Sequence, residues 1–393
     1  MGSILQYVVD AGFRYRFYPS PEQENYLART FGCIRVVYNL ALDARKNHYA
    51  ETGKGLSYGK TSALLTTWKK TEAYRWLREV SSVPLQQTLR HLHTAYQRFF
   101  EKKAGYPRYK SRHDKQSATF VKSGFRLTGD RRRPHVHLPK MVAPLSIRWS
   151  RDLPSEPTSF VISKDRAGRY FISFRVRLCP QELPPRTKAV GLDLGLAHAV
   201  ITSDGQKIDN PRYYLSQLDR LRHEQRRLSR KQKGSRNRRK QQRKVARLHG
   251  RIAEMRRDWC HKLTTDLVRR YDVICIETLN VKGMLRNHCL AQSIADVAWG
   301  EIKRQLRYKA EWYGSRLVEI SQWEATSKTC HKCGAKRPSL ALSVRVWVCD
   351  GCGVVHDRDV NASLNVLAAG LAVLASGLNG SPVTALSVAG VSG

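Results

Sequence analysis

The sequence predicts a multidomain chain of mixed α/β class. An α/β domain with a zinc-ribbon insertion follows a small β-barrel, and a helical bundle interrupts the barrel after its first strand. Three observations predict it. Apolar residues recur with a period of 3.6 over 21–103 and with a period of two over 117–180. From 187 onward, apolar runs that read as buried strands alternate with long amphipathic helices. Cys330, Cys333, Cys349 and Cys352 form a C-x2-C…C-x2-C set with fifteen residues between the pairs, the spacing of a structural zinc site.

Each element has its own signal. Residues 7–18, aromatic and β-branched and closed by Pro19, predict a strand; Pro21 opens a helix. Leu27, Phe31, Ile34, Val37, Tyr38 and Ala41 form its apolar stripe, and a loop with Gly53, Gly55 and Gly59 follows. Helices are expected over 60–80 and 84–103, the second burying Leu85, Leu89, Leu92, Tyr96 and Phe99. The barrel then takes residues 1–20 as its first strand and 106–186 as the rest, with the bundle spanning 21–105. The α/β domain is expected over 187–325, the zinc module over 326–354, and a last segment of the α/β domain over 355–370. Residues 371–393 carry no charge and predict a disordered tail.

The chain of 393 residues carries 70 Lys+Arg against 32 Asp+Glu, a formal charge of +38. Self-repulsion of that size calls for a polyanionic partner, and nucleic acid releases counterions on binding. Within 220–257 seventeen Lys/Arg face two acids, on helices expected over 213–258 and joined near Gly234. That imbalance is too large for side-chain pairing and points to phosphate contact, with Arg236, Arg238 and Arg239 as candidates. No apolar run reaches the ~20 residues of a membrane span, and the N-terminus lacks a secretory pattern. A cytoplasmic protein is expected, with Cys33, Cys179, Cys260, Cys275 and Cys289 as unpaired thiols.

Three carboxylates stand where chemistry is possible. Asp193 ends the apolar run Ala189–Leu192, and Glu277 ends Val273–Ile276. An acid inside a core strand costs desolvation that a bound cation offsets. Asp357 and Asp359 precede a helix start; Asp357 is assigned the N-cap and Asp359 the metal. Three acids from distant segments suit a pair of magnesium ions that also take water and phosphate oxygens.

At these residues the chain resembles a known family. GLDLG, CIETL and HDRDVNASLN are similar to the three segments of a RuvC-like nuclease domain, an RNase H-like fold. FRYRFYPSPEQ, TSKTCHKCG…WVCDGCG and SIADVAWGEIKRQLRYKAEWYG resemble TnpB, the transposon-encoded RNA-guided DNA nuclease family akin to miniature type V CRISPR effectors. The resemblance implies that Asp193, Glu277 and Asp359 are catalytic and hold magnesium, and that the barrel is a wedge domain. It implies a guide RNA from the transposon end and a double-stranded DNA target beside a short duplex motif. A monomer with its RNA, in a prokaryotic cytoplasm and at the nucleoid when on DNA, is the expected state. Tyr58, Ser62 and Gln86 are the candidates for reading that motif, since Gln can pair with adenine in the major groove. Two rivals remain: a transposase or transposase accessory protein, and a nucleic-acid-binding regulator without cleavage.

Overall fold

The computed structural model describes residues 8–180, 183–322, 324–341 and 343–377, and the chain divides into two compact units at Cys179. In the first unit, β1 (Val9–Phe17) alternates, burying Val9, Ala11, Tyr15 and Phe17. Pro19 cannot extend the ladder, and Ser20 caps α1 (Pro21–Thr52) through a capping box with Gln23. The α1 stripe from Leu27 to Ala41 is buried, and Gly53 ends the helix at φ +66°.

The helix expected over 60–80 is two elements: α2 (Tyr58–Trp68) and a 3-10 helix, Glu72–Glu79. The Thr71 hydroxyl donates to the Trp68 carbonyl (2.8 Å), taking an acceptor that the next helical turn would have used. α3 (Ser82–Phe100) follows; it buries Leu85, Leu89 and Leu92, whereas Tyr96 and Phe99 are half-exposed.

Next come β2 (Gln116–Val121), β3 (Arg126–Thr128), β4 (His135–His137), β5 (Ile147–Arg148), β6 (Pro157–Lys164) and β7 (Tyr170–Leu178). β3 and β4 form a separate hairpin; the others join β1 in an antiparallel sheet of order β2-β6-β7-β1-β5. The order is open, with β2 and β5 at its ends. Its buried face is aromatic: Tyr15 meets Trp149 edge-on at 4.8 Å, and Phe160 lies 5.6 Å from Phe174 and 5.4 Å from Phe120.

The second unit begins with β8 (Ala189–Asp193), β9 (His198–Thr202) and β10 (Lys207–Asp209), an antiparallel meander. Helices α4 (Leu218–Ser229) and α5 (Arg236–Arg270) follow; α5 runs past the expected end at 258 because Cys260, Leu263, Leu267 and Val268 continue its buried stripe. β11 (Val273–Glu277) is parallel to both β8 and, after α6 (Val281–Met284), α7 (Ala291–Val297) and α8 (Trp299–Tyr313), β12 (Arg316–Ile320). The sheet order is β10-β9-β8-β11-β12. β13 (Val346–Val348) and β14 (Val355–Asp357) form a hairpin, and α9 (Arg358–Ala375) closes the described chain. α9 extends past the expected boundary at 370, so 371–375 are helical; the rest of the expected tail, 378–393, lies outside the described residues.

The two faces of this sheet differ. Val190, Leu192, Ile274 and Ile276 pack with Leu263, Leu267, Ile302 and Leu306 of α5 and α8. Val273, Cys275, Val318 and Ile320 pack with Val366 of α9. α9 sits so close that a Cβ on Gly191 would lie 2.0 Å from the Ser363 carbonyl oxygen and one on Gly370 2.3 Å from the Cys275 Sγ. Glycine at 191 is therefore a packing requirement rather than a turn.

Candidate functional site

Strand alternation decides where the acids go. Val190 and Leu192 face α5 and α8, so Gly191 and Asp193 face α9. In β11, Ile274 and Ile276 face α5 and α8, so Cys275 and Glu277 also face α9. The parallel register pairs Cys275 with Gly191 and Ile276 with Leu192, which brings Glu277 level with Asp193 at the same sheet end. Asp359 stands in the first turn of α9, the helix covering that face. The fold thus brings together three acids separated by more than eighty residues between one and the next.

Their electrostatics record the juxtaposition. Burial first, then the charges of Glu277 and Asp359, push the Asp193 carboxyl up to about 7. Glu277 Oε1 accepts from the Thr326 hydroxyl at 2.6 Å. Asp359 is paired with Arg345 at 3.3 Å. Asp357 does a different job: its Oδ1 accepts from the backbone N–H groups of Asp359 and Val360, both at 3.0 Å, capping α9. Its other oxygen pairs with Lys207 at 2.6 Å. Burial opposes ionisation there, but Lys207 and the two N–H groups hold Asp357 below its ordinary value.

The four cysteines converge with all sulfurs within 4.8 Å of one another, the donor set of a closed structural zinc. The backbone N–H groups of Cys352 and Gly351 pull the Cys349 thiol down to about 7, favouring the thiolate that zinc needs. His356 Nε2 lies 3.0 Å from Cys330 Sγ, and its ring is tilted at 45° to that of Trp347 with centroids 4.7 Å apart, a group of the kind that orients a metal's ligands.

Sequence reasoning missed the clamp joining the two sites. Asn361 Nδ2 donates to the Thr329 carbonyl at 2.8 Å, and its Oδ1 accepts from the His331 backbone N–H at 3.0 Å. Asn365, one turn on, donates to the carbonyls of Thr326 and Thr329, both at 2.7 Å. The segment entering the first C-x2-C pair is thus fastened to the helix carrying Asp359, while its Thr326 touches Glu277. Two asparagines four apart, on one face of a helix that turns apolar after them, were the available signal.

The remaining candidates divide. Tyr58, at the start of α2, accepts from Arg90 Nε at 3.3 Å, and Arg90 lies one turn after Gln86 on α3. Gln86 is exposed and Ser62 half-exposed. Arg236 and Arg239 are exposed. Arg238 is committed within the chain: its Nη1 donates to the carbonyls of Leu228 (2.9 Å) and Lys231 (2.8 Å), closing the end of α4. Asp296, nearly buried, accepts from Arg256 at 2.9 Å and from the Tyr214 N–H at 2.9 Å, fixing the lead-in to the basic helices.

No helix among the described residues is long and apolar enough to cross a membrane. Three family descriptions match the chain: "Helix-turn-helix domain" over 9–54, "Probable transposase" (OrfB_IS605) over 171–288 and "Cas12f1-like, TNB domain" over 299–366. Two similar proteins carry the name "Putative RNA-guided DNA endonuclease", the second with the suffix InsQ. One, from Streptomyces pristinaespiralis, is 50% identical over 94% of this chain and 91% of its own length. The other, from Escherichia coli K12, is 35% identical over 93% of each. Among solved structures, a Cas12f1–sgRNA–target DNA complex aligns with TM-score 0.62 at 13% identity, over 91% of this chain and 98% of that one. The mini-RNA-guided endonuclease CRISPR-Cas_phi3 aligns with TM-score 0.51 at 10% identity, over 92% of each. At such identities these structures speak to fold alone. With half-identity to a relative across nearly its whole length, and the OrfB and TNB matches over 171–288 and 299–366, the chain belongs to the TnpB/OrfB_IS605 family and carries a Cas12f-like TNB domain.

Proposed function

We propose that this protein is an RNA-guided DNA endonuclease. It takes a guide RNA derived from a transposon end and hydrolyses double-stranded DNA beside a short duplex motif, in a prokaryotic cytoplasm. The observation that carries the reading is the convergence of Asp193, Glu277 and Asp359 at one end of a sheet, under the N-terminus of α9. Three antiparallel strands followed by two parallel ones, with helices on both faces, support an RNase H-like (RuvC-like) domain over 187–325 and 355–370. The five-stranded antiparallel sheet, with the helical bundle inserted after its first strand, is the wedge domain of this reading, although its strand order is open rather than closed into a barrel.

Asp193, Glu277 and Asp359 would hold divalent metal, magnesium by their all-oxygen chemistry. When bound, a pair of such ions supplies a more acidic water and neutralises charge on the leaving oxygen. The chain's own groups do the rest. Mutual repulsion among the three carboxylates gives the site its appetite for cations. Thr326 fixes one oxygen of Glu277, and Arg345 offers a cation beside Asp359. Arg236 and Arg239 track phosphates, while Tyr58, Ser62 and Gln86 read the duplex motif. Cys330, Cys333, Cys349 and Cys352 hold a structural zinc that performs no hydrolysis.

The test begins with the RNA that co-purifies with the protein: a discrete species ending in variable sequence is expected. Loaded with it, the protein should cut a matching target from a library of randomised flanks in magnesium. Asp193→Ala, Glu277→Ala and Asp359→Ala should each cut at below about 1% of the parent rate with gel-shift affinity within about threefold, because affinity comes from phosphate contacts elsewhere. Parent-like cutting by Asp359→Ala, with Asp357→Ala dead, would exchange the roles of those two aspartates. Guide-dependent binding without cutting by the parent would instead favour a regulator.

A further inference from the structure

The outer end of the helical bundle carries aromatic side chains that the reading above leaves unused. The apolar stripe of α3 outlasts its burial: Tyr96 and Phe99 are half-exposed, and Phe100 is 74% exposed. Beyond it, residues 105–110 form a strap across α1. Asn39 Nδ2 donates to the Lys110 carbonyl at 3.0 Å, and the Lys110 N–H returns a bond to Asn39 Oδ1 at 2.8 Å. Within the strap Pro107 is buried, whereas Tyr106 and Tyr109 are 44% and 48% exposed.

The tyrosine rings are held in place by polar contacts, and Phe100 rests on its neighbours, 5.3 Å from the Phe99 ring and 6.3 Å from the Tyr96 ring. The hydroxyls of Tyr96 and Tyr106 meet at 3.0 Å, and Tyr106 stands edge-on to Tyr96 at 5.6 Å and to Phe99 at 5.2 Å. The Tyr109 hydroxyl donates to Asp43 at 2.5 Å and accepts from Lys46 at 3.2 Å. Cations are interleaved: Arg45 lies 4.9 Å from the Tyr96 ring and Lys46 4.3 Å from the Tyr109 ring. Residues 96–115 carry seven Lys/Arg against two acids.

We infer that this end of the bundle is a stacking platform for unpaired bases of a single-stranded nucleic acid, with Phe100 and Tyr109 as the stacking rings. Exposed aromatic clusters on a soluble surface mark binding sites. The excess of cations selects a polyanion over a protein, since protein interface cores are depleted in lysine. Fixed, part-exposed rings select a strand whose bases have open faces, which a duplex lacks except at its ends. Exposed Lys102 and Arg108 stand beside the rings for the phosphates. The inference uses none of the carboxylates and goes beyond the nuclease reading.

The test uses the full chain stripped of RNA by high salt, with labelled oligo-uridine, oligo-thymidine and a duplex of equal length in an anisotropy titration. Phe100→Ala and Tyr109→Ala should each weaken single-strand binding at least about fivefold and change duplex binding less than about twofold. Because Phe100 is exposed, its variants should fold. Phe100→Trp should retain binding and Phe100→Leu lose it, since leucine keeps the apolar contact without the π-face. The salt slope should not change, because stacking releases no counterions. The uridine-to-thymidine preference tells whether RNA or DNA is the strand taken. Equal loss on duplex, parent-like binding by Phe100→Leu, or no loss at all overturns the platform. So does Phe100→Ala abolishing self-association in light scattering while oligonucleotide binding is untouched. Guided cleavage measured after the same preparation is reloaded with its guide RNA separates the two readings: cutting with ring-independent binding sinks the platform and spares the nuclease, and ring-dependent binding without cutting does the reverse.

Discussion

Asp193 is where burial, charge and chemistry meet. Folding raises its pKa from an ordinary value near 3.8 to about 7, through desolvation first and its two acidic neighbours second. The sign follows from proton counting. A carboxyl raised on folding binds more protons folded than unfolded, so without a cation its contribution to stability declines as pH rises from about 4 through about 7. Asp193→Asn removes the charge and keeps the shape. In magnesium-free buffer the variant should be about 1–3 kcal/mol more stable than the parent at pH 8.5, a range discounted for partial exposure, with the gap shrinking by pH 5.5. Urea unfolding at the two pH values measures it; an asparagine variant less stable than the parent at pH 8.5 would refute the repulsion account. Gly191, two residues earlier, makes a related point. Its identity is visible in the sequence, but its reason is the Ser363 carbonyl that would collide with any side chain.

At the scale of elements, the basic hairpin of α4 and α5 shows that abundant charge is not uniform in use. Leu221, Val245, Leu248 and Ile252 form a small core of its own. Gln241, buried in the seam, donates to the Glu224 carbonyl at 3.1 Å. Arg238 belongs to that structural set and Arg236 and Arg239 do not. Replacing Arg236 and Arg239 together by Ala should weaken nucleic-acid binding equally across sequences. It should flatten the dependence of log K on log salt by up to about two units while leaving the melting temperature alone. Arg238→Ala should instead lower stability by about 1–3 kcal/mol through the carbonyls it leaves open. Salt titrations beside thermal melts separate these outcomes; an unchanged slope in the double variant would reduce the hairpin to a solvated face.

Across the whole molecule, the four-cysteine cluster and the carboxylates are mechanically joined. Asn361 and Asn365 tie the first cysteine knuckle to α9, and Thr326 passes that order to Glu277. Cys330→Ser should therefore lose most of about one zinc per chain, since three thiolates and a hydroxyl hold the ion poorly. It should also cut DNA more slowly while the α4–α5 hairpin still binds nucleic acid. Elemental analysis, cleavage and gel shift on one preparation check this. Full zinc content in the variant would remove Cys330 from the ligand set, and unchanged cutting after zinc loss would uncouple the two sites.

Much of this was written locally in the chain. Cysteines paired as C-x2-C point to a metal site from the sequence alone, because two ligands three positions apart need only a short turn. The α1 stripe and the Ser20–Pro21 start follow from period and capping alone. The polyanionic partner follows from a charge of +38 that no fold could neutralise internally. Other features were decided in three dimensions. The break after Trp68 lies in a stretch whose apolar period continues, and the run of α9 past 370 rests on packing against β8, β11 and β12. The level placement of Asp193 and Glu277 depends on parallel pairing of strands eighty residues apart, a contact no local pattern encodes. Which arginine of a basic run meets solvent, and which closes a helix, depends on the neighbouring helix. Periodicity reports which face is buried; it cannot report what lies opposite, and here the neighbouring helix assigns Arg238 to structure, whereas the Asp357 cap is a local contact that the sequence already placed.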